Sequence, residues 1–257
     1  MTKIKVLDQG YVELIEAWGA GKAGACDRLI HLDAVDYEIG IIEAARQSTQ
    51  GSFRGWDTDE KLLKTLFHHQ LNQSTPFEAA GMTIEVQAPI FVFREWHRHR
   101  TQSYNEASAR YRPLEPKYYK PDAVNLLERA TAAQRERNKQ AQAQASEVRQ
   151  PVDPEALTYW LDMVDHAYKQ LEAIYQDALR MGIPKELARI TMPVGHYSCM
   201  RASANLRNWL GFLTLRLAPN AQWEIRQYAE AVNMIVKYTF PRTWKVFADS
   251  MEWEYGD

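Results

Sequence analysis

The longest regular pattern in this sequence is a run of apolar residues at helical spacing between residues 157 and 178. Asp153 and Pro154 precede the run in the order typical of a helix N-cap and first turn, and Gly182 follows it as a terminator. The apolar positions recur every three or four residues, at Leu157, Trp160, Leu161, Val164, Tyr168, Leu171, Tyr175 and Ala178. We therefore predict a long core helix whose aromatic side chains serve packing rather than cofactor binding.

A strand pattern and further helical patterns accompany this helix. Residues 82–86 alternate between apolar and polar types, which predicts a half-buried strand, and Pro89 fits the first position of a following helix. We expect two more helices, over residues 34–48 and 221–238, because apolar residues again follow helical spacing there.

Together these patterns indicate an α+β fold in which a mixed sheet packs against long helices. A chain of 257 residues can bury such a core as one domain spanning residues 1–257. Residues 128–150 are rich in Ala, Gln, Arg and Glu and lack large apolar side chains. We expect an exposed helix or a mobile polar insert at that position.

Composition narrows the class of protein. The formal net charge is −2, so any basic site must be local rather than spread over the molecule. No apolar run reaches the ~20 residues of a membrane span, and the first residues are too polar for a secretory signal. Cys26 and Cys199 lie far apart, which favours two reduced thiols in a cytoplasmic protein over a disulfide. No cysteine pair predicts a metal site, and the adjacent His68 and His69 would diverge by about 100° on a helix.

Residues 19–24 form a G-x-G-x-x-G pattern, which binds dinucleotides only when it follows a strand and opens a helix. The apolar residues 12–18 before it show no clear strand alternation. We interpret residues 19–24 as a flexible, glycine-rich connection.

Residues 94–111 form the segment richest in charged and hydrogen-bonding side chains. They include four arginines, two histidines, two glutamates and two amides, with few apolar residues between them. Arg98 and Arg100 flank His99, and guanidinium forks suit phosphate and carboxylate groups. This composition predicts an anionic ligand, with a solvated basic surface as the alternative. The polar residues 105–110 are suited to reading the edge of a base.

Several blocks in the same order resemble the flavin-dependent thymidylate synthases. The order Arg98-His99-Arg100, seven residues and then Ser108 resembles the signature of that family. The other matching blocks are Ala44-Ala45-Arg46-x-Ser48, Thr75 with Glu78, the Ala-Arg-Ile around Arg189, and Asn205-x-Arg207 with Leu215-Arg216 and Ala221-Gln222-Trp223-Glu224.

The resemblance implies conversion of dUMP to dTMP, with methylenetetrahydrofolate as carbon donor and FAD, reduced by NADPH, as hydride donor. It implies a homotetramer with shared active sites and no nucleic-acid or membrane partner. The catalytic role falls on Arg216, because a fixed guanidinium stabilises negative charge developing on the uracil ring. The FAD-binding roles fall on Thr75, Glu78, Arg98, His99, Arg100, Glu106, Asn205, Leu206, Arg207 and Gly211. The substrate-binding roles fall on Glu95, Trp96, His97, Arg98, Glu106, Ala107, Ser108, Ala109, Arg110, Arg189 and Arg216. Ser108 is expected to bind rather than attack, because no nearby base is evident.

The chain departs from the family pattern at Gln73, Ala79, Glu95, Gly211 and Asn220. A carboxylate at Glu95, where glutamine is frequent, accepts hydrogen bonds but cannot donate them when ionised. A flavin enzyme that modifies a different pyrimidine nucleotide, such as a cytosine nucleotide or a ribonucleotide, is therefore an alternative. A nucleic-acid-binding module using Arg98, Arg100 and Tyr104 is a third hypothesis, which the near-neutral net charge disfavours.

Overall fold

A computed structural model describes residues 3–22, 35–69, 75–135 and 153–254. Within these ranges five strands form one sheet in the order β1-β2-β3-β5-β4. The strands are β1 (Lys3–Val6), β2 (Gly10–Trp18), β3 (Gly81–Pro89), β4 (Ser103–Glu106) and β5 (Tyr197–Asn205). The helices are α1 (Ile39–Arg46), α2 (Trp56–His69), α3 (Ile90–Trp96), α4 (Ala123–Arg135), α5 (Pro154–Arg180), α6 (Lys185–Ala188), α7 (Leu206–Arg216), α8 (Trp223–Thr239) and α9 (Pro241–Glu254). Short 3₁₀ helices span Gln47–Thr49, Thr75–Ala79 and Arg189–Thr191.

The α+β class is confirmed, but the expected mixed sheet is wrong. Every strand pair in the described ranges is antiparallel. The β1–β2 connection is a short hairpin, and the chain between β3 and β5 returns so that β5 runs against both β3 and β4. A parallel pair needs a crossover that re-enters the sheet in the same direction, and none of these connections does so.

The core lies between one face of the sheet and helices α3, α7, α8 and α9. Alternate residues of β3 and β5 point into it, so Met82, Ile84, Met200 and Ala202 are all buried. The strand predicted at residues 82–86 and the helix after Pro89 are both confirmed. Large aromatic side chains fill the space between the helices and the sheet: Phe93, Trp96, Trp209, Phe212 and Tyr228. Burial of rings this large is a dominant stabilising term for the fold.

Helix α5 exists as predicted, but it is not a core helix. Its N-cap is confirmed, because the Asp153 side chain accepts a hydrogen bond from the Glu155 N–H. Among its 27 residues only Tyr175 is buried, and Met163 and Ile174 are each 52% exposed. Of the eight residues on the predicted apolar face, Tyr175 is buried, Trp160 is exposed and the other six are half-buried, so that face is only partly covered in this chain.

Both ends of the chain hold structure that the sequence patterns did not predict. Strand β2 precedes the glycine pattern, and Gly19 and Gly21 both adopt positive φ angles. The last helix is not the one over residues 221–238, because α9 follows α8 after a break at Phe240.

Several sequence-based expectations lie outside the described residues. These are Cys26, Gln73 and residues 136–150 of the polar insert, whereas residues 128–135 belong to α4. The single-domain assignment stays a prediction. None of the helices in the described ranges is long and apolar enough to cross a membrane.

Candidate functional site

Helix α3 fixes the position of the basic residues 97–100 that follow it. The first two N–H groups of α3, from Ile90 and Phe91, donate to the carbonyl oxygens of His196 and Val194, each at 3.0 Å. The segment that precedes β5 thus satisfies donors that a helix start would otherwise leave without partners. At the other end, the His99 N–H donates to the Trp96 carbonyl at 3.0 Å, which folds residues 97–100 into a turn.

Buried side chains beneath this turn hold it in place. The Trp96 indole N–H donates to Gln102 Oε1 at 3.0 Å, and both residues are buried. The Tyr104 hydroxyl donates to the His99 carbonyl at 2.7 Å, and burial raises the pKa of Tyr104 to about 12. Tyr104 therefore stays a neutral donor at any working pH. The predicted roles of Trp96 and Leu206 in ligand binding can fall only on their backbone atoms, because their side chains are fully buried.

Arg216, at the C-terminal end of α7, contacts this turn although the two are far apart in sequence. Its Nε–H donates to His99 Nε2 at 2.8 Å, one Nη2–H to the Glu95 carbonyl at 2.8 Å, and one Nη1–H to Glu95 Oε2 at 3.1 Å. These bonds use three of the five N–H groups of the guanidinium and leave two for a ligand. The side chain is 15% exposed, so the guanidinium is fixed yet accessible.

The environment of His99 keeps its imidazole neutral. Burial, and then the charge of Arg216, lower the pKa of His99 to about 4 from its usual 6.5. A neutral ring that accepts the Arg216 Nε–H through Nε2 must carry its proton on Nδ1. The ring also packs edge-on against Phe212, with the ring centroids 4.8 Å apart. His99 is therefore a rigid acceptor that orients Arg216.

Other cationic side chains surround this centre. Arg98 and Arg100 are exposed and make no ion pair within the described ranges. Arg207, in the first turn of α7, pairs with Glu78 of the 3₁₀ helix Thr75–Ala79. Gly211 is exposed one turn further on, and a Cβ there would meet no atom within 4 Å. The surface beside Arg207 is consequently open.

Sequence reasoning missed Asn208 and Gln102, two side chains that hold this centre together. Asn205 caps α7 by accepting the Asn208 N–H at 2.9 Å, and the Asn208 side chain donates to the Thr101 carbonyl at 3.1 Å. Asn208 and Gln102 thus lock α7 and the basic turn in place. The only sequence signal was the presence of amides inside otherwise matching blocks.

A second set of predicted residues lies after β4. The Ala107 N–H donates to the Cys199 carbonyl at 2.8 Å, and the Arg110 N–H donates to Ser108 Oγ at 3.3 Å. Arg110 lies 3.7 Å from Glu186 in an exposed ion pair, and Arg189 donates to the Glu186 carbonyl at 3.4 Å. The structure therefore brings Arg110 and Arg189 to one surface region.

A cavity of about 260 Å³ adjoins this second set. Ala107 and Ser108 line it on one side and Gln87 and Cys199 of the sheet on the other. Thr75 and Glu106 are exposed, and His97 packs between Phe93 and Tyr104.

The predicted residues fall into two sets, which we name here. We call the residues around Arg216 (Glu78, Glu95, Arg98, His99, Arg100, Asn205, Arg207, Gly211) the guanidinium centre, and residues 107–110 with Arg189 the loop set. Within the described ranges, Arg216, Glu95 and His99 make no hydrogen bond or ion pair with a side chain of the loop set. No group of three His, Cys, Asp or Glu side chains suited to a metal ion occurs in the described ranges.

Comparison with known proteins gives a consistent result. Residues 31–242 match the family model described as thymidylate synthase complementing protein. The chain is 36% identical over 248 residues to a flavin-dependent thymidylate synthase of Thermus thermophilus, covering 96% of this chain and 79% of that one. It is 33% identical over 245 residues to the enzyme of the same name from Thermosipho africanus, covering 95% of this chain and 92% of the relative. The solved structure of a UMP/dUMP methylase from Streptomyces cacaoi bound with 5-Br dUMP superposes with a TM-score of 0.73 at 29% identity, covering 96% and 97% of the two chains. Because the family model spans most of the sequence and the relatives align along nearly all of it, the chain belongs to the flavin-dependent thymidylate synthase family and is an enzyme of this type.

Proposed function

We propose that this enzyme converts dUMP to dTMP, with methylenetetrahydrofolate as the carbon donor and FAD, reduced by NADPH, as the hydride donor. The observation that carries the proposal is the fixed guanidinium of Arg216, which three acceptors orient while two N–H groups stay available. Uracil reacts at carbon only when negative charge on its ring is stabilised, and a preorganised cation in a partly buried site does this well. The relatives are named as thymidylate synthases, and the structural neighbour as a UMP/dUMP methylase, which supports the reaction class.

The guanidinium centre fits a flavin nucleotide. FAD carries a diphosphate, and Arg98 and Arg100 are exposed cations without an acidic partner in the described ranges. The open surface at Gly211 leaves room for a flat ring beside Arg207. Bound FAD would supply the redox chemistry, and the side chains of this chain would bind and orient it. Thr75, Glu78, Glu106 and the α7 N-cap Asn205 complete the binding surface that we propose.

The loop set fits the phosphate and sugar of the substrate. Arg110 and Arg189 are exposed on one region, and the backbone at residues 107–109 offers donors beside a cavity. Arg110 and Arg189 make no hydrogen bond or ion pair with Arg216 or His99 within the described ranges, and the family resemblance implies that residues of two copies bind one nucleotide. We therefore propose a homotetramer with shared active sites.

Replacement of Arg216 by alanine tests the proposed function. The Arg216→Ala variant should retain flavin absorbance after purification and lose dTMP formation by about 10²–10³-fold, as expected when one charge-stabilising donor is removed. An Arg180→Ala variant is the matched control, because Arg180 is exposed on α5 and its ion pair within the described ranges is with Asp177 alone. Unchanged turnover in Arg216→Ala would refute the assigned role, and a colourless wild-type protein that takes up no flavin would refute the function.

A second candidate substrate is the ribonucleotide UMP, because the structural neighbour bears the name UMP/dUMP methylase. Mass analysis of products from separate reactions with dUMP, UMP and dCMP decides among them. Methylated UMP formed at a rate equal to or above that of dTMP would favour the second candidate.

A further inference from the structure

The loop of residues 107–117 is attached to strand β5 at both of its ends. At the first end, the Ala107 N–H donates to the Cys199 carbonyl at 2.8 Å. At the second end, the Tyr197 N–H donates to the Lys117 carbonyl at 2.8 Å. Cys199 and Tyr197 are two positions apart in β5, so the attachment points are roughly 7 Å apart along the strand. The segment that we propose to bind the substrate is therefore part of a compact loop whose ends are close together.

Between its ends this loop has little packing to hold it. Of residues 107–117 only Ala109 is buried, and the cavity of about 260 Å³ lies between the loop and strands β3 and β5. In the middle of the loop, the Tyr111 carbonyl and the Arg110 guanidinium contact exposed side chains of α6 at 3.1 and 3.7 Å. Exposed polar contacts of this kind contribute little to stability. The position of the loop therefore depends mainly on its two ends.

The turn between β1 and β2 holds the second end of the loop. One carboxylate oxygen of Asp8, Oδ2, accepts the Lys120 N–H at 3.2 Å, and the other, Oδ1, accepts the Tyr197 hydroxyl. The neighbouring Gln9 side chain donates to the Tyr118 carbonyl at 3.0 Å. Asp8 thus binds both the chain just after the loop and the residue of β5 to which the loop is attached.

The hydrogen bond between Asp8 and Tyr197 is suited to a fixed anchor. Tyr197 is buried, and this burial, with smaller contributions from Tyr228 and Asp8, raises the pKa of its hydroxyl. The hydroxyl therefore stays protonated and donates to the carboxylate at any working pH. Leu7, directly before Asp8, has a φ of 55°, which residues other than glycine rarely adopt. Such a backbone persists only when surrounding contacts hold it, and the bonds of Asp8 and Gln9 are contacts of this kind.

We propose that Asp8 is a positioning residue that fixes the loop of residues 107–117 for substrate binding. This inference rests on the proposed function. Without the Asp8 carboxylate the loop would spend part of its time in arrangements that do not bind the nucleotide, and the apparent affinity falls in proportion to the competent fraction. The chemical step should not change, because the hydrogen bonds that orient Arg216 are made with Glu95 and His99.

Steady-state kinetics of Asp8→Ala separates binding from chemistry. The KM for dUMP should rise about 10-fold, as expected for the loss of a hydrogen bond to a charged acceptor, while kcat and flavin absorbance stay within about 2-fold of the wild type. Asp8 is exposed, so the alanine leaves no buried cavity and the variant should fold. Asp8→Asn should give an intermediate KM, because the amide oxygen can replace only one of the two carboxylate acceptors. Asp249→Ala, which removes an exposed carboxylate from α9, is the matched control and should leave the KM unchanged.

Tyr197→Phe tests the same hydrogen bond from its other side. It removes the donor, keeps the buried ring, and should raise the KM for dUMP by about 3–10-fold with kcat unchanged. In an Asp8→Ala background the same change should add less than about 2-fold, because the bond is already absent. A purely structural loss at two independent positions would instead give additive effects. If Asp8→Ala failed to fold, the KM of Tyr197→Phe would decide alone.

Several outcomes would overturn the inference. These are a KM for dUMP within about 2-fold of the wild type, equal losses of kcat and bound flavin, or additive effects in the double variant. Each of these results leaves the proposed function standing as long as the wild type forms dTMP. A wild-type protein that takes up no flavin and forms no dTMP would overturn both.

Discussion

Protonation of His99 should release Arg216, and the consequence can be measured as a pH-dependent loss of stability. The pKa of His99 is about 4 in the folded protein and 6.5 as an ordinary value. The unfolded chain therefore binds a proton at His99 between these two values while the folded protein does not. Stability must fall as pH falls through this window, since protons favour the state that binds more of them.

The size of the effect follows from the same two values. A shift of one pKa unit corresponds to about 1.4 kcal/mol, so going from pH 7 to pH 4.5 costs at most about 2.4 kcal/mol. Because His99 is only partly buried, solvent screening should reduce the measured loss to about 1–2 kcal/mol. Protonation also removes the lone pair on Nε2 that accepts the Arg216 Nε–H at 2.8 Å. The acceptor that orients the guanidinium is thereby lost.

Urea unfolding of the wild type and of His99→Gln at pH 7 and pH 4.5 isolates this contribution. The glutamine Oε1 can take the place of Nε2 as an acceptor for Arg216, and it does not titrate. All other groups titrate alike in the two proteins, so the wild type should lose about 1–2 kcal/mol more than the variant between the two pH values. An equal loss in both proteins would mean that His99 is not held neutral by its surroundings, and the account of Arg216 orientation would have to be abandoned.

Two further substitutions probe the scaffold and the flavin surface. Gly211→Ala should raise the free energy of unfolding by up to about 1 kcal/mol, because alanine favours a helix and its Cβ would meet nothing within 4 Å. The same variant should bind FAD more weakly, as measured by flavin fluorescence, if the open surface receives the ring; unchanged affinity would place the flavin elsewhere. Glu38→Ala should destabilise the fold by about 2–4 kcal/mol in urea, because the buried carboxylate accepts the N–H groups of Thr243 at 2.6 Å and Arg242 at 3.1 Å at the start of α9. A loss below about 0.5 kcal/mol would show that α9 needs no such cap.

Local sequence patterns predicted those helices and strands that bury one face against the core and leave the other face exposed. Residues 82–86 alternate cleanly because β3 has the core on one face, and the strand was found. Strand β2 was missed because its pairing with β3 shifts register between Leu14 and Glu16. A bulge of this kind reverses the two-residue alternation partway along a strand, which erases the pattern in the sequence.

The convergence of the guanidinium centre could not be derived from spacing. Glu95 and Arg216 are separated by 121 residues, and their contact depends on how α3 and α7 pack against the same sheet face. Resemblance to a family pointed to both residues, but not to the ion pair between them or to His99 as a third partner. Such contacts follow from tertiary packing, and hydrophobic periodicity does not predict which helices contact each other.

The exposure of α5 has a bearing on the assembly that we propose. Periodicity predicted a buried face there, yet Trp160 on that face is about half exposed, as is Met163 beside it. The segment that follows α5 carries Leu187, 55% exposed, and Ile190, 80% exposed, on either side of Arg189. Apolar patches of this kind mark surfaces that another protein covers. A second copy that docked on this segment would bury these apolar side chains beside Arg189.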